Sequence, residues 1–291
     1  MDKQPLVTVI TPAYNCAAFV EETIESVLSQ DYSKIEYYIS DDGSSDNTWE
    51  LLSKYDGRLI LERHPNIGEQ RTFNRLISKI KGRYFMFVNA DDPLLPGAIS
   101  TLVNFMEQNP TVVCVYPDWV AINEDGSFRI HVQSREYDFK YMVRHHMCLP
   151  SVGSMFRSRY IGYRDTSFKW LGDFDFWLRL GLAGDMARVP ITLATWRHRK
   201  GQASEGKNDE RAQEHIRIMQ KFYSLPNITP ELLALKREAV CWSYLVAAGV
   251  SKSKRQIISY IYRGLKSYPW VLFKLEFYDA VLKRVYYILR R

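Results

Sequence analysis

Four short runs of β-branched and aromatic residues, Leu6 to Thr11, Ile35 to Ser40, Leu59 to Glu62 and Tyr84 to Val88, alternate with segments of helical pattern. The helical segments are Ala18 to Gln30, Thr48 to Tyr55 and Gln70 to Ile80, the first with Val20, Ile24, Val27 and Leu28 on one face. Strand, helix and strand in succession make a βαβ unit, and repeated units fold into an α/β layer, a mostly parallel sheet flanked by helices. All strands of such a sheet leave by the same edge, and that carboxyl edge is where ligands bind. At 291 residues, 46% of them hydrophobic, the chain can bury a core of this kind.

Past Asn109 and Pro110 the alternation loosens. Val112 to Tyr116 reads as a further strand, Asn123 to Gly126 as a turn and Tyr137 to His146 as a helix. A helix is predicted to start near Gly172 and Asp173, and Met186 to Trp196 returns as a strand. The polar stretch RKGQASEGKNDE, residues 199–210, predicts a joint between an α/β domain, 1–204, and a C-terminal helical region, 205–291. The charge divides there as well, with 16 Lys and Arg against 8 Asp and Glu in residues 205–291 and 23 against 25 before them.

In that basic region the spacing predicts a last helix, Trp270 to Leu289, with Val271, Leu275, Tyr278, Leu282, Val285 and Leu289 on one stripe. It fits a helix packed on the α/β domain or on a second subunit of an oligomer. It also fits a basic amphipathic helix on an anionic membrane. Its longest uncharged run, Ser267 to Phe273, is far short of a membrane span. Cys16, Cys114, Cys148 and Cys241 are too scattered for a zinc site or a disulfide framework. The first five residues are short and polar rather than a secretory leader, so the expected location is cytoplasmic, peripheral at the inner face of the plasma membrane if the tail binds lipid.

Three acidic clusters fall at element ends. In FVNADDPLLP, residues 87–96, a buried strand runs into Asp91 and Asp92 and then a proline. Adjacent carboxylates repel, and Pro93 keeps Asp92 out of helical geometry, holding it at the strand exit. A hard cation, Mg2+ or Mn2+, takes oxygen ligands and often uses one or two carboxylates with substrate phosphates completing its shell. In ISDDGSSDNT, residues 39–48, Ser45 or Asp46 can cap the next helix, but a turn needs only one carboxylate and Asp42 is left over. In WLGDFDFWLRL, residues 170–180, Asp175 and Arg179 stand four apart as a surface ion pair, while Asp173 in the first turn is either a cap or a general base. Asn66, Ile67 and Gly68 precede a helix whose Arg71 is either a phosphate contact or part of a solvated face.

The ordered set VTVITPAYN (7–15), SVLSQ (26–30), DDGSSDNT (41–48), NIG (66–68), NADD (89–92) and GDFDFWLRL (172–180) resembles the family 2 glycosyltransferases with the Rossmann-like GT-A fold, over roughly residues 6–204. The resemblance implies transfer of a sugar, with inversion, from a nucleotide-diphosphate sugar, a UDP-sugar in particular, to a hydroxyl of a saccharide or lipid-linked acceptor in cell-surface glycan synthesis. It implies that Asp42 contacts the donor base beside Pro12, Ala13 and Tyr14. It implies that Asp91 lies on the ribose side, that Asp92 binds the metal and that Asp173 is the base. Relatives carry Asp where this chain has Asn89, which lowers the local negative charge. They also end the domain with a Tyr-Arg-x-His type element, for which TWRHRKGQAS (195–204) offers either His198 or Arg199 near the metal or diphosphate.

Other functions fit less well. A nucleotidyltransferase would need a basic cradle for a triphosphate, and a dehydrogenase the glycine fingerprint after its first strand, which TPAYN lacks. A non-catalytic sugar- or polyanion-binding module would not need Asp92 and Asp173. Nucleic acid is not an expected partner, since no basic and aromatic interleaving accompanies the basic tail.

Overall fold

The computed structural model describes residues 4–200, 202, 206, 208–275, 277 and 278. Most of the predicted 270–289 helix lies outside the described residues. The chain divides into two compact units. One runs from the N-terminus through Asp138 and resumes at Cys148 up to residue 205, and the other takes Phe139–Met147 and the chain from Gly206 on.

The first unit is built on β1 (Val7–Ala13), α1 (Val20–Leu28), β2 (Ile35–Asp41), α2 (Thr48–Ser53), β3 (Ile60–Arg63), α3 (Glu69–Ile77), β4 (Tyr84–Phe87) and α4 (Ala98–Gln108). In the same unit follow β5 (Cys114–Ile122), β6 (Phe128–Val132), β7 (Met155–Arg157), α6 (Gly172–Ala183) and β8 (Met186–Arg197), while α5 (Phe139–His145) belongs to the other unit. The eight strands form one mixed sheet in the order β3-β2-β1-β4-β7-β5-β6, with β8 also paired to β5. β3, β2, β1 and β4 are mutually parallel, as the βαβ alternation predicts. β7, three residues long, runs against both β4 and β5. Two reversals restore the direction, so β5 points the way β4 does, and β8 is parallel to β5. The ends of β4 and β8 therefore reach the same edge.

The central strands β1 and β4 sit there because their side chains are removed from water on both faces. Val7, Val9, Ile39, Tyr84 and Met86 are at most 0% exposed and pack with Val20, Ile24 and Val27 of α1. Each such burial stabilises by about 1.5–3 kcal/mol. β7 and α6 join the layer through rings, with Phe156 stacked on Trp177 at 5.1 Å and edge-on to Phe176 at 5.7 Å.

The second unit holds α5, α7 (Asp209–Phe222), α8 (Pro230–Ala234), α9 (Lys236–Val250) and α10 (Lys254–Ser267), closed by a 3-10 turn, Pro269–Phe273. Asn208 caps α7, Thr229 α8 and Ser253 α10 through their side-chain oxygens. A single cut at residue 204 would put α5 with the sheet. Instead α5 sets Arg144 3.8 Å from Glu238 of α9 and the His145 ring 5.6 Å from Trp242.

Candidate active site

The loop after β1 and the loop after β2 are stitched into one floor. The register places Pro12 opposite Ser40 and Ala13 opposite Asp41, and the Asp42 N–H donates to the Ala13 carbonyl at 2.8 Å. Asn15 takes the left-handed φ of +47° that Asn tolerates better than most residues. Its N–H donates to Ser44 Oγ at 2.9 Å, and its own Oδ1 accepts from the Ser45 N–H at 2.8 Å. Asp46 accepts from the Thr48 N–H at the start of α2 and from the Ala17 N–H, so it ties the two loops together. Tyr14 stands half exposed at the rim of this floor.

Asp42 is buried, and the reason is backbone. Its Oδ1 accepts from the Ile67 N–H at 2.6 Å and its Oδ2 from the Gly68 N–H at 2.9 Å, with His64 Nδ1 3.5 Å away. The leftover carboxylate of the sequence thus holds the Asn66-Ile67-Gly68 loop in place. Gly43, at φ +69°, permits the approach, since a Cβ there would lie 2.7 Å from the Asn66 nitrogen. Arg71 is exposed and reaches back to the Ile67 carbonyl at 3.4 Å.

The second pair lies where β4 and β8 end. Asp92 Oδ1 accepts from the Arg197 N–H at 2.7 Å and its Oδ2 from the Asn89 amide at 2.6 Å. Asp91 Oδ2 accepts from Arg199 Nε at 2.6 Å. Burial, with the neighbouring Asp91 charge adding to it, pushes the Asp92 carboxyl from an ordinary 3.8 up to about 7. The segment is pinned to β8 by Pro93, whose carbonyl accepts from the Thr195 N–H and hydroxyl. Arg197 is the keystone that sequence reasoning missed: its buried guanidinium donates to the Asp91 and Glu124 carbonyls, both at 3.0 Å, and to Glu22 at 2.5 Å. Of the two candidates for the His place, Arg199 carries the guanidinium that reaches the acidic pair. The His198 ring lies edge-on to Trp196 at 6.1 Å, and the His198 backbone N–H donates to the Ile122 carbonyl.

Asp173 is exposed in the first turn of α6, with Oδ1 accepting from the Phe174 N–H at 2.7 Å. α6 and α3 start against each other, for a Cβ on Gly172 would stand 2.5 Å from Gln70 Oε1. Asp173 is thereby tied to the helix that begins at the loop Asp42 clamps. The ion pair of Asp175 with Arg179, at 2.9 Å, is not a surface pair: Asp175 is buried, because α6 is covered on most sides by the rings it brings to β7. Arg164, also absent from the sequence reading, lies 3.7 Å over the Phe73 ring and donates to Glu69 and Gln70, both at 3.2 Å, bracing the start of α3.

Among the described residues no three His, Cys, Asp or Glu side chains gather into a metal cage. Asp92 suits a cation of another kind. Its carboxylate is buried beside a second one and its proton affinity is raised, so a hard ion brought in with a diphosphate would relieve charge the protein alone leaves uncompensated.

The model of Glycosyl transferase family 2 matches residues 8–170. The chain belongs to that family. It is a glycosyltransferase domain in the GT-A fold. Among its relatives are the hyaluronan synthase of Pasteurella multocida, 33% identical over 154 residues, which are 50% of this chain and 16% of that one. Another is the Escherichia coli UDP-Glc:alpha-D-GlcNAc-diphosphoundecaprenol beta-1,3-glucosyltransferase WfaP, 30% identical over 70% of this chain and 82% of its own. This chain therefore spans about a sixth of the synthase. Among solved structures, Staphylococcus aureus TarS (residues 1–349) in complex with UDP-GlcNAc superposes with a TM-score of 0.65 at 15% identity, over 90% of this chain and 89% of that one. The mannosyltransferase PcManGT of Pyrobaculum calidifontis, in complex with GDP-Man and Mn2+, does so with 0.61 at 16% identity, over 99% and 81%.

Proposed function

We propose that this domain moves a hexosyl group, with inversion, from a nucleoside-diphosphate sugar, in particular a UDP-sugar, to a hydroxyl of a saccharide or lipid-linked acceptor in polysaccharide synthesis. The observation that carries the reading is the pair Asp91 and Asp92 at the end of β4, one answered by Arg199 and the other buried with its carboxyl pushed up to about 7. WfaP uses UDP-Glc by its name and TarS was solved with UDP-GlcNAc, which favours a uridine donor. The floor of Pro12, Ala13, Tyr14 and Asp42 receives the nucleoside, with Asp91 on its ribose side and Arg71 toward the phosphates.

Asp173 takes the proton from the acceptor hydroxyl while that oxygen bonds to the anomeric carbon, and the bond from that carbon to the diphosphate breaks. Its exposed place in the first turn of α6 leaves the carboxylate open to an incoming hydroxyl. One displacement by one base leaves the configuration inverted. Asp92 would hold a Mg2+ or Mn2+ ion, which when bound supplies Lewis-acid stabilisation of charge on the departing diphosphate. Arg199 holds Asp91 in place beside it.

Asp173→Asn tests the base. Transfer should fall by about 100-fold or more while circular dichroism and donor affinity stay at wild-type values. Turnover close to wild type would remove Asp173 from the reaction.

A further inference from the structure

The C-terminal unit carries a surface that sugar transfer does not account for. α10 turns Tyr260 and Gly264 inward, where a Cβ on Gly264 would come within 3.2 Å of the Cys241 carbonyl of α9. The outer side of the same helix bears Ile258, Ile261 and Tyr262, with Ile258 69% exposed. The turn after it divides likewise. Val271 is fully buried beside Trp242, whereas Trp270, Phe273 and Leu275 face outward, the last two 79% and 84% exposed. The Trp270 and Phe273 rings lie 5.7 Å apart. A single exposed leucine is ordinary, but six large apolar side chains outside on one helix and its following turn are not.

Charge identifies the partner. Residues 252–275 contain six Lys and Arg and no Asp or Glu. Lys274 pairs with Glu238 at 2.5 Å, and the other five are exposed. Apolar and aromatic side chains among cations, with Asp209 at the start of α10 and Glu238 on Lys274 as the acids beside them, match a bilayer surface in which Trp and Tyr sit at headgroup level and acidic lipids meet the lysines. We infer that α10 and the turn after it seat this protein on an anionic lipid surface, lying in the headgroup layer. Among the described residues no helix is long and apolar enough to cross a membrane. The inference goes beyond the transfer reaction, and its test needs no turnover.

The full chain is sedimented with vesicles of phosphatidylcholine alone or mixed with phosphatidylglycerol. Binding to the mixed vesicles and not to the neutral ones, weakened by salt, is expected. Each surface cation adds about fivefold to partitioning, so Lys254→Glu with Arg255→Glu should reduce binding at least tenfold. Trp270→Ser with Phe273→Ser should reduce it comparably, and both variants should unfold at the wild-type midpoint because the altered side chains are exposed. Absence of binding, or equal binding to both vesicles, overturns the inference. So does a variant that converts a dimer to a monomer by light scattering, which would make the face a subunit contact. A variant that unfolds well below the wild type would show the face packed against protein, with the same consequence.

Discussion

Two aspartate pairs close two parallel strands, Asp41 and Asp42 after β2 and Asp91 and Asp92 after β4, and their surroundings differ. Asp41 accepts from the Ser44 N–H and hydroxyl and faces Arg63 at 3.0 Å, while Asp42 gives both oxygens to backbone N–H groups. That pair is absorbed into holding a loop. Asp92 receives one backbone N–H and one amide, yet burial next to Asp91 still leaves its ionised form disfavoured. The same dipeptide therefore serves as a clamp at one strand end and holds a carboxyl of raised proton affinity at the other. The count of donors is the same, two for each second carboxylate; what differs is their source, two backbone N–H groups of one loop for Asp42 and one backbone N–H with one side-chain amide from separate segments for Asp92.

The largest effect that would break this contrast is on transfer. Asp92→Asn should lower the rate by about 100-fold or more and abolish any Mn2+-dependent thermal shift, with little loss of stability. A near-normal rate would make the second pair structural like the first. Conversely, Asp42→Ala leaves the half-buried Ile67 and Gly68 N–H groups without their acceptor and should cost about 1–3 kcal/mol in urea unfolding. A loss below about 1 kcal/mol would deny the clamp.

The contrast is sharpened by pH. Asp92 binds its proton more tightly folded than unfolded, so in the cation-free protein stability should fall as pH rises from about 4 to about 7. Asp92→Asn should flatten urea midpoints across that window, and an unchanged slope would assign it to other groups. Smallest is the Arg199 pair, which is partly exposed. Arg199→Ala should cost less than about 1 kcal/mol, and a larger loss by urea unfolding would make it a structural tie.

Much of this was legible along the chain. The period of the apolar residues gave β1 to β4 and α1 to α3 within a few positions, and the Asp clusters were found at strand exits because a strand's end is a local event. β7 was not found, since three residues have no period to read. Asn89 was read as a loss of charge, whereas its amide props Asp92. The partner of Asp91 lies 108 residues away in sequence. Which of Arg197, His198 and Arg199 meets the acidic pair depends on the β5 and β8 register, which shifts twice around Asp118. A one-residue slip there would turn those side chains over.

The sequence by itself determined the α/β class, the shared edge of the parallel strands and the acidic residues on it, because those follow from local periodicity and from what a turn can accept. Tertiary structure alone decided which carboxylate is clamped by backbone and which has its proton affinity raised, that Arg197 locks β8 to the site, and that α5 joins the C-terminal helices. The physical reason is that desolvation and hydrogen-bond partnership are set by which distant segments pack together, and no local pattern encodes them.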